Sequence, residues 1–317
     1  LPLEALLDRA DDFAHQGDAK AAMSFYQAAL KSARSASFAN EATTARLHKA
    51  REFIERRSNE FLASLDRSLE RIAPENPTAA LRLRHALEML KGERSIYPQQ
   101  PSVFYYPYLA QRQFFEREEF DWAKDLEARA RVIRDELDGL LSEDAVFHPY
   151  VDDDPDRPYR DFHGLNNDPS WSAFYLWKEG ELVEENAARC PRTVEALSEL
   201  PLTHIGKRTP VVLFSRLSPG AHIPPHSGML NSRVICHLPL IVPKGCWIRV
   251  GNETREWEEG RLMLFDDSIE HEAMNPTGEL RVILIFDVWR PELSDAERQA
   301  VSAIFQSIDS FQALPDA

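Results

Sequence analysis

The hydrophobic period of this chain changes along its length, and that change limits the folds open to it. In the first hundred residues apolar positions recur at helical spacing. Leu3, Leu6, Leu7, Ala10 and Phe13 make one stripe, and Ala22, Tyr26, Ala29 and Leu30 make a second after a Gln16-Gly17-Asp18 turn. Residues 41–72 and 77–91 also read as helices. From Trp171 onward the period is that of strands. Pro210–Leu217, Arg233–Val242, Cys246–Val250, Glu253–Trp257, Arg261–Phe265 and Leu280–Trp289 are short β runs separated by Gly, Pro, Asn and Asp. Helices are expected near Pro191–Leu200 and over Asp295–Phe311. Many short strands without helical crossovers favour an antiparallel jelly-roll over a doubly wound sheet, and no GxGxxG or P-loop is present.

The expected fold is therefore α+β in two domains, a helical residues 1–97 and a jelly-roll with flanking helices over 98–317. At 317 residues each has enough chain to bury a core. The first helix pair is similar to a tetratricopeptide repeat in its small Ala10, aromatic Phe13, Gly-Asp turn and Ala/Tyr/Ala pattern. Arg34 stands where that repeat often has proline, and an ordinary helical hairpin fits the same stripe. Pro98–Pro107 breaks helicity and reads as a linker or domain entry, followed by an acidic helix over Glu116–Leu141. Val151–Tyr159 reads as a solvated loop. Asp152, Asp153 and Asp154 lack the glycine and distal glutamate of a calcium loop.

The net charge of −15 is uneven, with +1 over residues 1–100 and −16 over the rest. Phosphate backbones need basic surface, so nucleic acid is not an expected partner. Near Arg51–Arg57 the basic residues are interleaved with Glu52 and Glu55, as on a solvated helix face. No apolar run is long enough to span a bilayer, and no signal-peptide pattern opens the chain, although a start at Leu1 leaves a trimmed leader open. Cys190, Cys236 and Cys246 are odd in number and scattered, which points to a reducing compartment and a cytoplasmic protein.

Two histidines have contexts suited to metal. His226 closes the Pro-rich turn Ala221-His222-Ile223-Pro224-Pro225-His226-Ser227-Gly228. His271 follows Phe265-Asp266-Asp267-Ser268-Ile269-Glu270, with Asp266 and Asp267 within reach as supporting partners. Arg281 lies ten residues on, in a β run. Two histidines and a strand arginine suit an iron(II) and 2-oxoglutarate oxygenase, but Gly228 stands where a third, carboxylate ligand is usual. Spacing alone allows either a dead metal site or a two-histidine site with an extra water or anion.

The flanking residues resemble the aspartyl/asparaginyl β-hydroxylase family, whose members use two histidines with glycine in place of the carboxylate. The resemblance is carried by Ser215-Arg216-Leu217-Ser218-Pro219-Gly220, His226-Ser227-Gly228, Asn231-Ser232-Arg233, Cys236-His237-Leu238 and Pro243-Lys244-Gly245-Cys246. It continues through Asn252–Gly260, Phe265–Glu272 and Asp287–Leu293, and upstream through Phe104–Pro107 and Trp171–Trp177, so it covers roughly residues 100–298. It implies a double-stranded β-helix, Fe(2+) held by His226 and His271, and 2-oxoglutarate held through Arg281, with Ser215, His237 and Trp171 lining the same pocket. O2 is then the oxidant and ascorbate a supporting reductant. Arg233 is a candidate for substrate contact, its ordinary role being an ion pair between strands.

Some family members carry tetratricopeptide-like helices upstream. The implied reaction is hydroxylation of an unactivated C–H, first of all the β-carbon of an aspartyl or asparaginyl residue in a peptide, protein or carrier-bound amino acid. A lipid acyl chain is the alternative substrate, and a helical-repeat adaptor with an inactive jelly-roll is the non-enzyme alternative. Ile235 stands where animal relatives have an arginine for an acidic substrate side chain. Cys190 matches a family cysteine whose disulfide partner is absent here.

Overall fold

The computed structural model describes residues 1–33, 40–72, 76–143, 146–151 and 161–312. Arg34, Asp152, Asp153 and Asp154 fall outside the described residues, as does most of the expected 151–159 loop. The chain divides into two compact units, Leu1–Ser95 and Ile96–Ala317.

In the first unit α1 (Leu3–His15) and α2 (Ala19–Ala33) form a hairpin, followed by α3 (Glu41–Ile72) and α4 (Pro77–Lys91). Gly17 makes the α1–α2 turn at φ 82°, a left-handed conformation that favours glycine. Small residues let the helices approach: Ala10, Ala22, Ala29 and Ala50 are buried together with Leu7, Tyr26 and Leu47. The Tyr26 hydroxyl donates to Asp11 at 2.6 Å, and Arg46 on α3 binds Glu4, Asp8 and Asp11 on α1. The third helix is 32 residues long, against 13 and 15 for the first two.

The second unit is built on two antiparallel sheets. The larger has the order β1 (Phe114–Phe115), β10 (Met263–Phe265), β7 (Arg233–Ile241), β12 (Arg281–Trp289), β5 (Val212–Leu217), β3 (Trp171–Lys178) and β2 (His148–Pro149), with β4 (Glu181–Leu182) beside β3. The smaller has the order β6 (His222–His226), β11 (His271–Met274), β8 (Trp247–Val250) and β9 (Glu253–Glu256). From β5 to β12 successive strands alternate between the sheets, except that β8 and β9 form a hairpin within the smaller one, in the manner of a jelly-roll.

Side-chain alternation then sorts the core into layers. On β7 and β12, Val234, Cys236, Leu238, Val282, Leu284, Phe286 and Val288 pack outward against α5 (Ala123–Ala128), α6 (Ala130–Leu141) and α8 (Pro191–Ser198). The alternate residues Arg233, Ile235, His237, Arg281, Ile283, Ile285 and Asp287 face a cavity closed by the smaller sheet. Burial on both faces explains why these two strands read as continuous apolar runs. Glu136 of α6 fixes α8 by accepting from the backbone N–H groups of Arg192 and Thr193 at 2.8 and 2.9 Å.

Two local expectations are corrected. The acidic helix over 116–141 is broken into a 3-10 turn (Arg117–Glu119), α5 and α6. The segments carrying the two histidines are strands β6 and β11, not a turn and a strand end. Of the two readings of residues 98–107, linker or domain entry, the second fits: they lie within the second unit as a strap on the sandwich. Gln100 N–H donates to Ser268 O at 2.7 Å, Ser102 N–H to Gly228 O at 2.9 Å, and Val103 and Phe104 N–H to Met229 O at 3.1 Å.

Candidate active site

β6 is an edge strand of the smaller sheet, so Pro224 and Pro225 cost it no ladder partner on the open side. Its last residue, His226, is registered directly opposite His271, the first residue of β11. The two rings lie 4.2 Å apart between centroids. The His226 Nδ1–H donates to Pro224 O at 2.7 Å, and the His271 Nδ1–H to Ile269 O at 3.0 Å. A carbonyl can only accept, so Nδ1 carries the proton in both rings and each Nε2 keeps its lone pair. Burial lowers both imidazoles to about 4, so they are neutral at physiological pH. Backbone carbonyls, rather than the carboxylates of Asp266 or Asp267, thus hold the His226 and His271 rings.

All seven residues singled out in the sequence line one cavity of about 700 Å³: Trp171, Ser215, His226, Arg233, His237, His271 and Arg281. Arg281 is 1% exposed, and its Nε has no hydrogen-bond partner. Among the described residues no carboxylate pairs with it; its guanidinium stacks 5.0 Å over Trp257 and reaches Ser215 Oγ only at 3.5 Å. Burial lowers it to about 10, which leaves it charged at neutral pH. An uncompensated buried cation is a place made for an anion.

Ser215 Oγ also accepts from Trp171 Nε1 at 3.2 Å. Trp257 Nε1 donates to His237 Nδ1 at 3.2 Å, so Nε2–H of this neutral histidine is the ring's remaining donor. Trp257 was given no role by sequence periodicity. Its signal is the pairing of a donor-only indole with a strand histidine, which only the fold reveals.

Gly228 has a steric cause. A Cβ there would stand 1.9 Å from Asp267 Oδ2, so the volume beside the histidines already holds a carboxylate. Asp267 Oδ2 accepts from Arg233 Nη2 at 2.9 Å, while its Oδ1 is buried without a partner. Arg233 Nη1 donates to Asp287 Oδ2, also at 2.9 Å. Arg233 thus lines the cavity with both ends of its guanidinium engaged. Behind this cluster Asp266 pairs with Arg290 at 3.0 Å and accepts from Gln99 at 2.6 Å, and Gln99 Oε1 accepts from Asn231 at 3.0 Å.

Among the described residues no group of three His, Cys, Asp or Glu is arranged to hold a metal ion. The available donor set is the pair of neutral imidazoles. Their free Nε2 lone pairs suit a divalent transition metal, and Arg281, which no carboxylate pairs among the described residues, suits a dicarboxylate cosubstrate.

Comparison with known proteins bears on this arrangement. Residues 127–291 match the model of the aspartyl/asparaginyl beta-hydroxylase family. The chain is 38% identical over 182 residues to human aspartyl/asparaginyl beta-hydroxylase, covering 57% of this chain and 23% of that protein. It is 42% identical over 147 residues to human aspartate beta-hydroxylase domain-containing protein 2, covering 44% of this chain and 40% of the relative. It is 35% identical over 180 residues to an ornithine lipid ester-linked acyl 2-hydroxylase of Rhizobium tropici, covering 56% of this chain and 60% of the relative. This chain therefore spans less than two thirds of each of these relatives. The chain belongs to the aspartyl/asparaginyl beta-hydroxylase family. Its helical unit precedes the matched span.

Proposed function

We propose that this protein is an Fe(II)- and 2-oxoglutarate-dependent dioxygenase that hydroxylates an unactivated C–H bond. The observation that carries the reading is the pairing, in one cavity, of two neutral imidazoles with a buried arginine that has no anionic partner among the described residues. His226 and His271 would hold the metal through Nε2. Arg281 would bind the distal carboxylate of 2-oxoglutarate, for which a planar guanidinium offers two parallel hydrogen bonds. Ser215 Oγ and His237 Nε2–H would add donors, and Trp171 would wall the pocket. Held by His226 and His271, iron would supply the O2 activation, with 2-oxoglutarate as the reductant. The apolar walls exclude water, and the Pro224 and Ile269 carbonyls hold both rings in the ligating tautomer.

The substrate is a separate matter. The names of the human relatives point to aspartyl or asparaginyl residues, and the name of the rhizobial relative points to a lipid acyl chain. The α1–α2 hairpin we read as tetratricopeptide-like, a surface for a peptide or partner protein. Succinate formation with added Fe(II), ascorbate and 2-oxoglutarate tests the central reading. His226→Ala should abolish iron binding, whereas Arg281→Ala should weaken 2-oxoglutarate binding and spare iron. Equal loss of both ligands in the Arg281 variant would overturn its assignment.

A further inference from the structure

An indole N–H donates a hydrogen bond and cannot accept one, so the atom it meets must present a lone pair. Two such groups border the Arg281 end of the cavity. Trp257 Nε1 lies 3.2 Å from His237 Nδ1, and Trp171 Nε1 lies 3.2 Å from Ser215 Oγ. The first contact fixes a proton. With its Nδ1 lone pair taken, the His237 ring is neutral and carries its one proton on Nε2. The second contact makes Ser215 Oγ an acceptor, which leaves the serine its own O–H to give.

Trp257 also acts through its ring. The guanidinium carbon of Arg281 stands 5.0 Å over the indole, a cation–π contact that holds the guanidinium without using its N–H groups. One buried side chain thus touches two polar residues of the lining by two different means. Its own place is set by the segment after β9. Gly260 N–H donates to Pro239 O at 2.8 Å, and Glu259 Oε1 accepts from Val242 N–H at 2.7 Å. These bonds tie the Trp257 segment alongside β7, the strand that bears His237. Phe265 packs edge-on against the His237 ring, with centroids 4.8 Å apart, and limits its tilt.

We propose that Trp257 is a positioning residue for the distal carboxylate of a 2-oxo dicarboxylic acid. Its N–H selects the His237 tautomer that donates from Nε2, and its ring sets the plane of Arg281. The inference rests on the hydroxylase reading above, in which Arg281, Ser215 and His237 bind 2-oxoglutarate. The consequence is selectivity. 2-Oxopentanoate has the same chain length but ends in a methyl group, so it gains nothing from these donors. Loss of the indole N–H should therefore weaken binding of 2-oxoglutarate and spare 2-oxopentanoate. A tryptophan that only filled space would affect both acids alike.

Nitrogen NMR of the metal-free full chain, carrying isotope-labelled histidine, reads the tautomer directly. Wild-type His237, assigned by the loss of its signals in His237→Gln, should show a bare Nδ1 and a protonated Nε2. Trp257→Phe keeps an aromatic face beneath Arg281 and removes the N–H, so both resonances should move towards an average of the two tautomers. Anaerobic calorimetry with Fe(II) then compares the two acids. Trp257→Phe should lower the preference for 2-oxoglutarate over 2-oxopentanoate about tenfold, the effect of a hydrogen bond to a charged group. Trp257→Leu, which also removes the ring, should lower it further. An equal loss for both acids, or an unchanged preference in Trp257→Phe, would overturn the positioning role and leave the cosubstrate reading standing. A proton on Nδ1 of wild-type His237 would overturn it without any variant. A wild-type protein that binds neither acid would remove the cosubstrate reading and this inference with it.

Discussion

Asp267 fills the space that a side chain on Gly228 would need, with Oδ2 only 1.9 Å from the position of a Cβ. Replacing Gly228 by Ala or Asp should therefore not add a useful ligand. Gly228→Ala is expected to lower stability by about 1–3 kcal/mol through overpacking and to disturb the Arg233 pair. Urea unfolding and 2-oxoglutarate consumption check this; a Gly228→Asp variant of wild-type stability and higher activity would contradict it.

Arg233 carries two buried partners, so its loss leaves two uncompensated carboxylates. Arg233→Ala should cost about 3–5 kcal/mol of stability, the range for breaking a buried ion pair. The shift in the urea midpoint measures it. A change below about 1 kcal/mol would mean that water enters the cluster freely.

Arg281→Lys should retain charge but lose the fork. We expect KM for 2-oxoglutarate to rise at least about tenfold, the equivalent of about 1.4 kcal/mol, with iron affinity little changed. Steady-state kinetics alongside iron titration separate the two effects.

The histidine pair sets a pH dependence with a definite sign. Both folded-state values lie at about 4, below the ordinary 6.5. Between these values the unfolded chain binds more protons, so the metal-free fold loses stability as pH falls from 6.5 towards 4 and keeps this contribution above 6.5. Asp266, raised to about 6 chiefly by burial, acts in the opposite sense, so the informative quantity is a difference. The stability gap between the metal-free protein and a His226→Gln variant should change across this window, with wild type gaining relative to the variant as pH rises. Parallel pH curves would contradict the assignment.

Gln99 joins Asp266 to Asn231, and so links the segment before His271 to the segment after Gly228. Gln99→Ala should cost about 1–3 kcal/mol by removing hydrogen bonds to the buried Asp266 and Asn231. It should also weaken iron binding in the folded protein, because the segments flanking the two histidine strands share this tie. Iron titration of folded samples distinguishes that effect from unfolding.

Much of the larger sheet was legible in the sequence because β5, β7 and β12 are buried on both faces and read as apolar runs. The strands bearing the histidines were not. His222-Ile223-Pro224-Pro225-His226 contains two prolines at a sheet edge, and His271-Glu272-Ala273-Met274 is short and half polar, so neither carries a strand period. The site residues could be listed individually, yet the reason for Gly228 could not. It depends on contact with Asp267, a residue 39 positions away in the chain. Asp287 offered a usable signal, as a carboxylate inside Val282–Trp289 demands a buried partner, but only pairing of β7 with β12 identifies Arg233.

The strap of residues 99–104 also bears on where chains of this kind can be joined. It lies upstream of the span matched by the family model, which starts at residue 127, yet it is bonded to Gly228, Met229 and Ser268. A fragment cut at the family boundary would discard part of its own active-site scaffold. The usable seam for exchanging the upstream sequence is before Gln99, close to the Ser95–Ile96 division. Recombination there could give the site a new neighbour while leaving its internal bonds intact.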